Sequence, residues 1–503
     1  MESCSQEEKA APETSDLTYA AATELTAAMA AREVSSAELT EAAISRIERF
    51  DQDVNAVCVR DFDRALTAAR AADVARAKGD VRPLLGVPMT VKESFNVAGL
   101  TTTWGIPAFK DARAAEDAVA VARLKAAGAV VLGKTNVPFA LGDLQTYNDL
   151  YGATGNPWNL GRTAGGSSGG SAAALAAGYG ALSIGSDIAG SLRAPAHYCG
   201  VYAHKPSQGL LPTRGHTPPG TPPLAYERDL VTIGPMARGA RDLSLMLDLL
   251  AEPDETAIGI AHALALPPAR HDDLAAFRVL VVDTHPLIPT ASSVRAAIGD
   301  LADRLSAAGA KVARESESLP DQVEAARLYM RLLLASWGAG YPQEVYEHLR
   351  LDAGRLDAGD RSLAAERTRG SVLSHRGWIA ADSARVRNRQ GWRELFAEFD
   401  IVLCPAMPTP AFPHDRSPDR WARRITIDGT DHDYADQLVW AGIASVPGLP
   451  ATVAPIGRSA DGLPIGAQLI GPMFEDRTPI RFAELLEREF GGFNPPPLAR
   501  PRL

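Results

Sequence analysis

The residues best suited to chemistry gather in two clusters of glycine and serine, GGSSGGS at 165–171 and GSDIAGS at 185–191, joined by an alanine-rich run. The first has no apolar side chain and cannot be core by itself. Glycine lets the backbone take positive φ and lets another group approach the main chain, which suits a loop that aims N–H donors or hydroxyls at a ligand. The second cluster follows the short apolar run 181–184, the arrangement of a serine on a turn after a strand. Ser191 stands behind Ile188, Ala189 and Gly190, so successive backbone N–H groups there can face a carbonyl oxygen and form an oxyanion hole. A serine hydroxyl also needs a group to take its proton. Lys92, at the end of the apolar run GVPMTVK (86–92), supplies one if it is buried and uncharged, because desolvation lowers a lysine pKa by several units from about 10.4. An ordinary exposed lysine at a strand end is the competing reading, and the residues alone leave both open.

Other motifs compete and fail on context. Residues 166–170 satisfy the G-x-S-x-G pattern of a nucleophile elbow at Ser168, and 165–169 satisfy it at Ser167. In a run of glycine and serine that match is cheap, and an elbow needs a strand directly before the serine, where 146–164 reads as loop. This disfavours an α/β-hydrolase-type esterase. Residues 128–135, GAVVLGKT, spell a P-loop. Its wrapping residues would be the strand formers Ala129, Val130, Val131 and Leu132, and a helix precedes them where a strand is required. A P-loop nucleotidase is therefore disfavoured, and Lys134 reads as structural. His197, His204 and His216 follow the second cluster without recognisable partners and read as core or surface histidines. No His or carboxylate cluster has metal-ligand spacing, so neither metal nor cofactor is expected.

Elements that position these residues are legible in outline. Ser35 and Glu38 form a capping box before an amphipathic helix, one of two or three helices expected before residue 80. A strand at 86–92, a helix at 116–127 stopped by Gly128, and a strand at 129–132 predict an α/β sheet with parallel neighbours. Residues 171–178 predict a helix that turns its free N–H groups and positive dipole end toward the first cluster. A proline-glycine loop at 212–229 is expected to be exposed. A strand at 277–283, helices through 395, a core strand within 400–413 and a last αβ portion with a helix near 478–489 complete the pattern.

With 46% hydrophobic and 22% charged residues over 503 positions, the composition is that of a soluble globular protein with a large core. A net charge of −10 without clustered lysine and arginine argues against a nucleic-acid surface. No apolar run reaches the roughly 18 residues of a membrane span. Residues 1–16 are polar and acidic where a signal peptide is basic and then apolar, and read as a disordered tail of a cytoplasmic protein. Cys4, Cys58, Cys199 and Cys404 are far apart and read as inert buried thiols. Residues 17–503 are expected to form one body, with a core at about 80–230 and a variable subdomain at about 255–400.

At these same residues the chain resembles the amidase signature family. The resemblance runs through 86–105, 130–140, 165–178 and 185–209, and more loosely through PGLPATVAPIG and GLPIGAQLIGP near the C-terminus. It implies an α/β fold with a central mixed β-sheet flanked by helices on both faces, plus a helical variable subdomain. It also implies a Ser-Ser-Lys triad: Ser191 as nucleophile, Ser167 in a cis peptide as the bridging serine, and Lys92 as general base. The amides of Ile188, Ala189, Gly190 and Ser191 would form the oxyanion hole, supported by Ser168, Asp187 and Arg193. Ala189 departs from the pattern, since many relatives have a glycine there. The implied partner is a small-molecule amide, with aryl amides, esters and carbamates (urethanes) in range, acted on without cofactor by a monomer or homodimer. The alternative family role is the amidase subunit of a glutamine-dependent tRNA amidotransferase. Trp104, Tyr147 and the loop 212–229 are candidates for the pocket entrance, and Tyr329 and Trp337 for its cover; each reads equally well as packing.

Overall fold

The run PMTVK forms the strand Pro88–Lys92, and all five residues are buried. A strand buried throughout belongs in the middle of a sheet covered on both faces. In the computed structural model, which describes residues 17–221, 227–254 and 263–499, this strand is part of an eleven-stranded mixed sheet. In spatial order its strands are Val57–Arg60, Val130–Thr135, Pro88–Lys92, Leu182–Asp187, Thr232–Ala237, Tyr202–Lys205, Ala451–Arg458, Pro464–Ile470, Ile401–Pro405, Arg278–Val281 and Lys311–Ala313. Pro88–Lys92 runs parallel to both its neighbours, with Lys92 opposite Thr135 and Val91 opposite Ile184. Lys92 and Asp187 therefore end their strands at the same edge, the carboxyl edge where ligands bind in open α/β sheets.

Alternation along the strands divides the core between the two faces. Met89, Val91 and Val131 pack with the helices Val119–Ala126, Ala240–Leu250 and Arg477–Phe490. Val130 and Leu132 pack with the helices Ser36–Val54 and Gly169–Ala176. A further apolar cluster joins the helices Gln322–Gly338, His375–Glu398 and Leu438–Ser445 to Val402 and Cys404 of the sheet. The alanine-rich helix Gly169–Ala176 is buried at all eight residues. Only small side chains allow such close contact: a Cβ on Gly170 would lie 2.4 Å from the Asn136 amide nitrogen and 2.6 Å from its carbonyl oxygen.

The capping box is present, with the Ser35 side chain accepting from the Glu38 N–H, and three helices precede residue 80. The strand Val130–Thr135 continues through Gly133 and Lys134, so the P-loop lettering belongs to a sheet ladder and not to a phosphate-wrapping loop. Two expectations are corrected. Residues 146–164 hold two short ribbons, Tyr147–Asn148 with Gly152–Ala153 and Gly155–Asn156 with Asn159–Thr163, whose Gly and Asn residues hide so short a strand signal. In the described part of 212–229, His216 is buried because its ring packs against Phe95 and Trp104 at 4.6 and 5.0 Å. Residues 222–226, the tail 1–16 and Cys4 lie outside the described residues. Cys199 and Cys404 are buried and Cys58 is half-buried. Among the described residues no helix is long and apolar enough to cross a membrane.

The close packing of the alanine-rich helix has a measurable consequence. Gly170→Ala is expected to lower stability by about 1–3 kcal/mol through overpacking. Gly354→Ala, on the helix Gln343–Arg355 with nothing within 4 Å of the new methyl, is expected to raise it by about 0.5–1 kcal/mol. Urea midpoints at unchanged slope report both.

Candidate active site

Lys92 has no solvent exposure. Its Nζ lies 2.7 Å from Ser167 Oγ, 2.9 Å from Ser168 Oγ and 3.0 Å from Ser186 Oγ. Among the described residues no carboxylate is within ion-pair distance of it, so burial is opposed only by the more remote Asp187 and the pKa is pushed down to about 7. A neutral amine has two N–H donors and one lone pair, so with three hydroxyl oxygens around it one hydroxyl can turn its proton onto the nitrogen. Ser167, the nearest, follows Gly166 through a cis peptide. Ser168, expected only as a support, touches Lys92 directly. Ser186 was not singled out in the sequence; its one signal is a serine inside a buried strand parallel to that of Lys92.

The two clusters meet where the Ser168 N–H donates to the Ser191 carbonyl at 3.1 Å. The loop carrying Ser191 is tied down by Asp187. One carboxylate oxygen accepts from the Gly190 N–H at 2.9 Å and the other from the Leu192 N–H at 3.0 Å. The Arg193 guanidinium forks onto the same carboxylate at 2.8 and 3.0 Å, and also donates to Gln468 Oε1 and Ser445 Oγ. Burial alone would raise the Asp187 carboxyl, but Arg193 outweighs it and holds the group at about 2. Gly190 takes φ of +89°, a conformation that favours glycine, whereas Ala189 is not among the positive-φ residues. The Tyr329 hydroxyl donates to the Ile188 carbonyl at 3.0 Å and so packs beneath this loop. With the Gly190 amide already on Asp187, the Ala189 and Ser191 amides are the neighbours that make no hydrogen bond among the described residues.

A pocket opens beside Ser191, lined by Leu141, Leu144, Ala189, Trp337, Trp421 and Leu438, with Arg420, Asp143 and Tyr434 among its polar members. Asp143 is neutralised there, accepting from Arg423 at 2.6 Å and from the Tyr434 hydroxyl at 2.8 Å. Of the aromatic candidates, Trp337 lines this pocket. Trp104 is buried, with its indole N–H on the Ser94 carbonyl, and the Tyr147 hydroxyl accepts from Arg423. Leu141, Arg420, Trp421 and Leu438 belong to stretches without a motif, so no local pattern could have marked them.

The three histidines have their partners elsewhere, and among the described residues His216 Nδ1 has none. His197 bonds the Gly466 and Thr409 backbone, His204 bonds Thr452 and Asp476, and His216 bonds Ser94. Burial lowers the pKa of each, opposed at His204 by Asp476. Lys134 donates to the Thr101 carbonyl and Thr102 Oγ1, which ties the strand to a neighbouring loop.

Known proteins resemble this chain along most of its length. The amidase family profile matches residues 38–479. A glutamyl-tRNA(Gln) amidotransferase subunit from Roseiflexus castenholzii is 33% identical over 94% of this chain and 95% of its own. The fatty-acid amide hydrolase 2-A of Danio rerio is 31% identical over 96% of this chain and 91% of its own. Among solved structures, an inhibitor-bound protein from a vestigial complex that bears on the origins of an s-triazine catabolic enzyme superposes with a TM-score of 0.78. It is 31% identical, and the match covers 93% of this chain and 98% of that one.

Removing one member of the Asp187–Arg193 pair leaves a buried charge uncompensated. Arg193→Met is expected to lose about 3–5 kcal/mol of stability, read from chemical denaturation.

Proposed function

The chain belongs to the amidase signature family, and we propose that it hydrolyses carboxamide C–N bonds through an acyl-enzyme on Ser191, with Ser167 and Lys92 as its proton relay. Members of the family hydrolyse amides and related C–N bonds by serine-based catalysis, and this protein is an amide-hydrolysing enzyme. The observation that carries the assignment of roles is the 2.7 Å contact of Lys92 Nζ with Ser167 Oγ, both residues being buried.

In this reading Ser191 Oγ attacks the scissile carbonyl carbon. Its proton passes to Ser167, whose own proton moves onto the lone pair of Lys92. The carbonyl oxygen becomes an oxyanion and accepts from the amides of Ile188, Ala189 and Ser191, with Gly190 contributing less because its N–H is shared with Asp187. The relay then runs backwards: Lys92 returns its proton through Ser167 to the departing amine as the C–N bond breaks. Water, deprotonated by the same path, attacks the acyl-enzyme and releases Ser191. Ser168 and Ser186 hold the lysine in place, and Asp187 and Arg193 hold the loop. The Ala189 methyl lies on the pocket wall beside Ser191, where it trims the space for substrate and leaves the relay untouched.

The substrates are small amides, with aryl amides, esters and carbamates accepted where the pocket admits them. The reading further takes residues 17–503 as one catalytic body, variable at about 255–400, acting in the cytoplasm as a monomer or homodimer. A second reading, the amidase subunit of a glutamine-dependent tRNA amidotransferase, is favoured by the identity to the Roseiflexus protein. It requires partner subunits, so turnover of simple anilides by the isolated chain decides against it.

Ser191→Ala and Lys92→Ala are expected to lower kcat by about 10³-fold or more while the proteins stay folded. Because the base works only without its proton, kcat/KM should climb with pH and level off above about 7. Assays of anilide hydrolysis between pH 5 and 9 read both effects, and full activity in Lys92→Ala would sink the relay.

A further inference from the structure

One charged group beside Ser191 has no part in the hydrolytic chemistry. The pocket walls are apolar, built by Leu141, Leu144, Ala189 and Leu438, yet Arg420 stands among the lining residues. Its carbon lies 5.3 Å from the ring centre of Trp337 and 4.6 Å from that of Trp421. Arg367 also stacks on Trp421, at 4.6 Å. Stacking on indoles uses the faces of a guanidinium and leaves its rim of N–H donors for polar partners. One of those donors is taken by the Gly142 carbonyl.

Among the described residues no carboxylate lies within ion-pair distance of Arg420. The acidic group in the same lining, Asp143, is already committed to Arg423 and Tyr434. Arg420 is partly buried, and a guanidinium beside apolar walls keeps an unmet need for an anion. Its flat fork matches a carboxylate with two parallel hydrogen bonds.

We propose that Arg420 selects the substrate: an amide that carries a carboxylate at the far end of an apolar spacer from its scissile carbonyl. Leu141, Leu144 and Leu438 take the spacer, Arg420 takes the carboxylate, and Trp337 and Trp421 are positioning residues that hold the fork. The proposal rests on the assignment of Ser191 as the nucleophile.

Two arms test it. In the first, kcat/KM is compared for glutaryl-4-nitroanilide and its uncharged counterpart valeryl-4-nitroanilide. The native enzyme is expected to prefer the glutaryl compound by about tenfold or more, as one charge-assisted bidentate contact allows. Arg420→Gln brings the ratio toward one, through KM more than kcat, and Arg420→Lys keeps part of the preference. In the second arm Ser191→Ala is titrated with glutaranilic acid and with valeranilide, read by tryptophan fluorescence. Saturable binding of the acid alone, lost when Arg420→Gln is added, supports the proposal. Equal ratios in the first arm, a preference that survives Arg420→Gln, or equal binding in the second would overturn it. Hydrolysis that persists in Ser191→Ala would instead overturn the catalytic assignment, and the fluorescence arm would still decide the role of Arg420.

Discussion

A lysine closed off from water, whose hydrogen-bond partners among the described residues are three hydroxyl groups, is the constraint on which this structure turns. Burial of Lys92 without a carboxylate in contact disfavours its charge, and its pKa comes down from 10.5 to about 7. A neutral amine at ordinary pH has a lone pair to offer. The hydroxyls of Ser167, Ser168 and Ser186 are as near to it as hydrogen bonds allow. Had Asp187 lain against Lys92, the ion pair would have kept the proton on nitrogen and the lone pair unavailable. Asp187 is instead saturated by Arg193 and by the Gly190 and Leu192 amides.

Two packing choices follow from that requirement. Excluding water from Lys92 takes cover on both faces of its strand and at the strand's end. The helix Gly169–Ala176 supplies part of this cover, and its glycine and alanine side chains let it sit against the Asn136 backbone. The same short helix begins just after Ser167 and Ser168, so one segment both seals the lysine and presents its hydroxyl partners. The Asp187–Arg193 pair does the corresponding work for the second cluster. Its cost of desolvation is offset by bidentate geometry and by the further acceptors on Gln468, Ser445 and Ala441. Those acceptors reach the site from the last quarter of the chain and bind the two halves of the sheet to one centre.

Where the sequence read well, the signal was local. The capping box at Ser35 and Glu38, the buried strand ending at Lys92 and the alanine-rich helix each follow from neighbours along the chain. Reading 146–164 as loop missed its ribbons because strands of two to five residues, rich in Gly and Asn, carry too little alternation. Exposure was overestimated at His216, since proline and glycine around it say nothing of the Phe95 and Trp104 rings that cover it. Ser186 escaped notice for a related reason: its contact with Lys92 is set by the pairing of two parallel strands distant in sequence.

By itself, then, the sequence determined the inventory of the candidate site: two glycine-serine turns, a lysine closing an apolar strand, and the small residues that allow a helix to press against a sheet. These are matters of residue type and short spacing, which backbone sterics and hydrophobic periodicity make readable. Tertiary structure alone decided the ionisation and the pocket. Whether Lys92 is charged depends on how much water and which carboxylates surround it. The walls beside Ser191 come from the stretch after Pro138, the end of the helix Gln322–Gly338 and the segment around Arg420. A pKa and a cavity are both sums over groups close in space and remote along the chain, so no stretch of sequence contains either.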